Sequence, residues 1–213
     1  MFRPLFLRQE VFIMHKTSAL SIKTIAKVAV LAAIAVVVML WSFPIVFLAP
    51  GFYKFDFSEV FVLLGGFALG PAAACMVEAL KILLNLLLNG TTTAYVGEFA
   101  NLVMGIAFVV PAAIVYHRHK TQKNAIKGLV VGILFLVIAG DLINYFVLIP
   151  AYVSMFHMPL EKIVEMGNAI FPFVTSKASF VLVCVSLFNL FKGIVSSVVT
   201  LLVYKKVSPI LHA

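Results

Sequence analysis

Charge is scarce in this sequence. Only 11% of its 213 residues are Asp, Glu, Lys or Arg, while 63% are apolar. Soluble domains carry about a quarter charged residues, so a water-soluble fold is excluded. Disorder and a collagen-like fibre are excluded with it, because neither is built from so much apolar side chain. Cysteine is nearly missing as well. Cys75 and Cys184 both lie inside apolar runs, without the spacing of a metal site or a disulfide framework. There is no G-x-x-x-x-G-K-[ST] loop, so the chain should not hydrolyse ATP itself. H-E-x-x-H and G-x-S-x-G are also absent, and the five histidines (His15, His117, His119, His157, His212) fall in predicted loops or tails. An intramembrane enzyme is therefore disfavoured.

What is present is a series of continuous apolar runs. A membrane barrel would alternate apolar and polar residues instead. The reading is an all-α integral membrane protein. A helix crosses the hydrocarbon core with about 20 residues. Six transmembrane helices are expected, at about 28–49, 58–70, 72–89, 96–116, 126–149 and 178–204. The long run from Ser58 to Asn89 is split at Gly70-Pro71, which leaves its first half short for a full crossing. All six belong to a single domain. Residues 1–25 read as an N-terminal cytoplasmic extension in which Met14 is an alternative start.

Sixteen Lys and Arg against eight Asp and Glu give a formal charge of +8. The excess does not point to nucleic acid, because it is confined to short segments between apolar runs. Lys16, Lys23 and Lys27 precede span one. Arg118, Lys120, Lys123 and Lys127 follow span four, and Lys205 and Lys206 follow span six. With six spans these segments share one face, which the positive-inside rule makes cytoplasmic, both termini included.

Polar side chains inside a bilayer are costly and mark functional sites by default. Glu78, Lys81, Asn85 and Asn89 form one stripe on span three. Glu98 and Asn101 open span four; Asp141, Asn144 and Tyr145 lie on span five; Asn189, Lys192 and Ser196 lie on span six. Counting about 1.5 Å per residue from the cytoplasmic anchors puts most of them in the outer half of the membrane. They are expected to converge on a cavity open to the outside that holds a polar, hydrogen-bonding solute. The alternative is that they only tie helices together. The Gly90-Thr91-Thr92-Thr93 loop adds hydroxyls, and Tyr53-Lys54-Phe55-Asp56-Phe57-Ser58 has the make-up of an aromatic lid, or of an interfacial anchor with Ser58 as an N-cap. Phe55, Phe57, Tyr95 and Tyr145 are candidate walls. Lys192 needs a buried acceptor, for which Asp141 is the candidate.

An ordered series of motifs resembles a known family. Asp56-Phe57-Ser58-Glu59 leads into Leu63-Leu64-Gly65-Gly66-Phe67-Ala68-Leu69-Gly70-Pro71. Glu78-x-x-Lys81-x-x-x-Asn85-Leu86-Leu87, Gly90-Thr91-Thr92-Thr93 and Gly97-Glu98-x-Ala100-Asn101 follow. Asn144-Tyr145-Phe146-x-Leu148-x-Pro150 and Asn189-x-x-Lys192-Gly193 complete it. Together these resemble the riboflavin-specific S components of energy-coupling factor (ECF) transporters, over about residues 20–207. The resemblance implies a six-helix, multi-pass protein of a prokaryotic cytoplasmic membrane. It would bind riboflavin from outside as a transported ligand, need no enzymatic cofactor, and work with a transmembrane coupling subunit and two ATPases. Asn144, Asn189 and Lys192 would touch the vitamin. The full candidate set adds Lys81, Asn85, Glu98, Asn101, Thr92, Thr93, Tyr145, Phe57 and Asp56. Ala29 and Ala33 resemble the small-residue patch that docks on the coupling subunit; close packing within this chain is the other explanation. Phe61 stands where Pro is expected, and Ala94-Tyr95 stands where two glycines are common. The rival functions are an S component for another vitamin, and a secondary transporter whose protons ride on Glu78, Asp141 or Glu98. The latter would usually show inverted repeats, and none is evident.

Overall fold

In the computed structural model residues 21–212 are described; Met14, Lys16 and most of the expected N-terminal extension lie outside them. Helix α1 (Ile22–Met39) starts at Ser21, whose hydroxyl accepts from the Thr24 amide and so satisfies an orphan donor of the first turn. It ends well before the expected residue 49. Pro44 cannot donate a backbone hydrogen bond and pushes Phe43 toward extended backbone. Phe43–Pro44 (β1) instead pairs antiparallel with Lys54–Phe55 (β2). Hydropathy could not separate this apolar loop from a helix, because Ile45 and Ala49 are buried all the same, in a cluster with Phe55, Phe180 and Phe188.

Helix α2 (Ser58–Leu69) has 12 residues, about 18 Å of helix against a core of about 30 Å. It occupies the centre, with α1, α3, α4 and α9 around it. That position explains its composition. Val62, Leu63, Leu64 and Phe67 are all buried, so apolar residues are needed on every face. Gly70, at a φ of 107°, takes a backbone shape closed to other residues, and Pro71 then opens α3 (Pro71–Asn89). Helix α4 is Val96–Arg118. Helix α5 (Gln122–Ile143) begins at Thr121, whose hydroxyl caps the Asn124 amide. It continues through a π turn at Asn144–Leu148 into α6 (Ile149–Met155). Pro150 supplies the reason: it has no N–H for the carbonyl four residues back, and the ladder widens there. The continuous stretch Gln122–Met155 runs for 34 residues, about 51 Å, and so projects beyond the lipid. The connection after it carries an amphipathic helix, α7 (Leu160–Asn168), with Ile163 and Gly167 turned inward. Helix α8 (Lys177–Phe180) passes through a second π turn, Val181–Val185, into α9 (Ser186–His212).

Five described helical stretches are long and apolar enough to cross a membrane, and α2 is the shorter apolar helix among them. The ends are tied. At one end Phe67, Tyr116 and Tyr204 pack ring on ring, the two phenols share a hydrogen bond at 2.9 Å, and His117 meets the Gly66 and Phe67 carbonyls. This end also holds the basic α4–α5 turn. The ribbon and the 90–95 loop lie at the other.

Helices α4 and α5 approach backbone to backbone. A Cβ on Gly128 would lie 2.5 Å from the Ala112 carbonyl oxygen, and one on Gly132 would lie 2.4 Å from that of Phe108. Small residues four apart allow such close contact in lipid, where dispersion rather than water drives association. Gly132→Val should therefore lower stability by about 1–3 kcal/mol, read as a lower melting temperature in detergent. An unchanged melting temperature would show that the two helices can separate at no cost.

Candidate functional site

A cavity of about 390 Å³ opens at the end of the bundle away from the tyrosine cluster. The loops 52–56 and 90–93, α3, α4, α5 and α9 contribute to it.

Asn144 enters from the π turn of the fifth stretch. Its amide donates to the Gly140 carbonyl at 2.8 Å, and its oxygen accepts from the Tyr53 hydroxyl at 2.5 Å. Tyr53 is wedged among Phe52, Phe180 and Phe188. Burial pushes its phenol well above the ordinary range, so it remains a donor. Asn189 packs on Gly140, whose carbonyl Asn144 holds; a Cβ at residue 140 would collide with the Asn189 amide nitrogen.

At the mouth, Glu98 accepts from the Thr91 and Thr93 hydroxyls at 3.1 and 2.9 Å. Those oxygens accept in turn from the backbone amides of Thr93, Tyr95 and Gly97. This knot holds Ala94 and Tyr95 at φ of 48° and 68°. Such left-handed backbone costs an ordinary residue about 1–2 kcal/mol, which is why glycines suit the pair of positions.

The floor is ionic. Lys81 lies 3.0 Å from Glu59 and 2.6 Å from Glu78, and Lys192 lies 3.7 Å from the same Glu59 oxygen. Gly105 leaves the space that Glu78 fills; a Cβ there would meet its carboxylate. Two cations and two anions thus alternate across α2, α3 and α9. The expected Lys192–Asp141 pair does not form. Asp141 accepts from Ser186 at 2.8 Å instead, and the partner of Lys192 comes from α2, a contact that spacing along one helix cannot reveal.

Nine of the twelve candidates line the cavity: Asp56, Asn85, Thr92, Thr93, Glu98, Asn101, Asn144, Asn189 and Lys192. Three are not on its wall. Lys81 is buried beneath it in the ion chain. Phe57 packs edge-on against Phe55 at the start of α2 and keeps an exposed face, while Asp56 beside it lines the cavity. Tyr145 lies one residue, or about 100°, around the helix from Asn144, under the Lys177 ammonium at 4.1 Å. Of the expected walls, Phe55 is core and Tyr95 is exposed. The actual aromatic lining is Phe52, Tyr53, Tyr152 and Phe188. Glu59 lines the cavity too; an acid in an otherwise apolar helix was the signal for it. Ala29 and Ala33 are exposed on α1, whose opposite face (Val28, Leu31, Ala32, Ala35) is buried, so they are not packing residues of this chain. No group of three His, Cys, Asp or Glu that could hold a metal occurs among the described residues.

The family model for the substrate-specific component of ECF transporters matches residues 23–204. This chain belongs to that family. An ECF substrate-specific component is a transport subunit rather than an enzyme, and this one is a multi-pass cell-membrane protein. The chain is 33% identical over 186 residues to the riboflavin transporter RibU of Staphylococcus aureus (strain TCH60), covering 87% of this chain and 90% of that one. It is 30% identical over 191 residues to the riboflavin transporter FmnP of Bacillus subtilis (strain 168), covering 89% and 94%. A solved S component of a bacterial ECF transporter superposes with a TM-score of 0.68 at 32% identity, over 90% of this chain and 98% of that one.

The ionic floor makes a sharp prediction for this ECF component. Lys81→Met leaves two carboxylates facing one lysine and should cost about 3–5 kcal/mol. Lys81→Met with Glu78→Leu removes a balanced pair and should recover most of the loss. Melting temperatures in detergent check both; equal melting of the single and double variants would deny the pairing.

Proposed function

We propose that this chain captures riboflavin from the extracytoplasmic side and delivers it inward together with a transmembrane coupling subunit and two ATPases. One observation carries the reading: the amides of Asn144 and Asn189 and the ammonium of Lys192 meet at a cavity with aromatic sides. Riboflavin has a neutral tricyclic ring and a polyhydroxylated tail. It needs apolar walls to stack on and a few fixed donors and acceptors, in a space of about 300–1,000 Å³. Asn offers both donor and acceptor. The relatives named as riboflavin transporters favour the same ligand. Carboxylates outnumber lysines on the wall, Asp56, Glu59 and Glu98 against Lys54 and Lys192, which disfavours an acidic vitamin. Proton-driven transport fits poorly with Glu78 held by Lys81, Asp141 by Ser186 and Glu98 by two threonines. The basic end of the bundle supports a cytoplasmic placement of both termini, with the cavity mouth outside. The sequence has no P-loop, so energy must come from partners. The exposed Ala29–Ala33 face of α1 allows the close helix approach that docking on a coupling subunit requires.

Purified chain should quench riboflavin fluorescence at micromolar vitamin or below. Asn189→Ala and Lys192→Ala should each weaken binding by about 1–3 kcal/mol, the scale for a lost buried partner. Absence of quenching rejects riboflavin. Unchanged affinity in both variants removes those residues from the site. Uptake into proteoliposomes on a proton gradient alone, without ATPases, would favour the secondary-transporter alternative.

A further inference from the structure

Glu59 is set apart from the other acids on the wall. Its Oε1 is hydrogen-bonded to Lys81 at 3.0 Å and faces Lys192 at 3.7 Å. The first distance is a fixed bond. The second is ion-pair reach without a hydrogen bond, so Lys192 is steered while its donors stay available. Glu59 is itself fixed from below, since Lys81 is clamped at 2.6 Å by Glu78 against Gly105. Glu78 and Lys81 are buried beneath the cavity; Lys192 lies on its wall, at the end of the chain.

We infer that Glu59 is the positioning residue for ligand recognition: anchored by Lys81 and Glu78, it sets where the Lys192 ammonium points in the cavity. The other charged groups are less well placed to do so. Glu98 is spent on the Thr91 and Thr93 hydroxyls, and Asp56 accepts from the Ser58 amide at 2.7 Å. Asp141 on α5 is held by Ser186. Among the described residues, Glu59 is the one acid within ion-pair distance of Lys192. A lysine is a flexible point charge with rotatable donors, so its direction has to be imposed from outside. The span-six lysine thus depends on an acid on α2, and riboflavin contact in α9 is set by packing against the central short helix.

The inference rests on the riboflavin reading, and the experiment separates the two. Riboflavin affinity of the full chain in detergent is measured by fluorescence quenching for wild type, Glu59→Gln, Lys192→Met, the double variant and Glu59→Asp. Glu59→Gln should weaken binding about tenfold. The same change made in Lys192→Met should add little, because the residue it acts through is gone. Glu59→Asp, which keeps the charge, should recover part of the loss. Wild-type affinity in Glu59→Gln overturns the inference, and so does a full, independent loss in the Lys192→Met background. If Glu59→Gln alone does not fold, Glu59→Asp, which keeps the charge but draws it back from Lys192 by one methylene, must itself bind riboflavin more weakly than wild type; wild-type affinity there overturns the inference equally. Failure of the wild-type chain to bind riboflavin rejects the riboflavin reading, and the inference with it.

Discussion

Two lysines and two glutamates buried in an apolar bundle must neutralise one another, and much of this structure follows from how they do it. An unpaired charge in such surroundings is too costly to keep. The order Glu78, Lys81, Glu59, Lys192 alternates sign and closes at zero net charge. Meeting that condition fixes the register of α2 between α3 and α9, since a slide of one turn would separate the partners by about 5.4 Å. It also explains Gly105, which leaves room for a carboxylate where most helix contacts would place a methyl.

Above this floor two groups of the site are already engaged by the protein. Asn144 is held by Tyr53 and by its own helix, and Glu98 by the threonine loop. Groups held this way lose little freedom when a ligand arrives, and a preorganised site binds more tightly for the same contacts. Two π turns, before Pro150 and before Ser186, lie on the helical stretches that carry Asn144 and Asn189. Each alters the helical phase where a side chain must face inward, and Asn144 lies in the first of them.

The membrane class and the helical runs were legible in the sequence because each depends on local composition. Asn85, Glu98, Asn101, Asn144, Asn189 and Lys192 could be placed at one level by counting residues along separate helices, and the structure brings them to one cavity. What was not legible involves two segments at once. The apolar run after Met39 reads as helix until Pro44 is seen pairing with Lys54. Glu59 as the partner of Lys192 needs the packing of α2 on α9, and spacing offered Asp141 instead. Tyr145 is expected as an aromatic wall of the site, but it follows Asn144 directly, and one residue along a helix is a change of face. The Gly128 and Gly132 contacts with α4 likewise exist only between helices.

The family assignment stands on the fold and the relatives; the ligand assignment stands on one hollow lined from α2, α3, α4, α5 and α9. A structure of the chain with riboflavin bound tests that most directly. The tricyclic ring is expected within hydrogen-bond distance of Asn144, Asn189 and Lys192, with the Glu59–Lys81–Glu78 chain intact beneath it. Riboflavin seated elsewhere, with those three side chains still turned only toward protein, would contradict it.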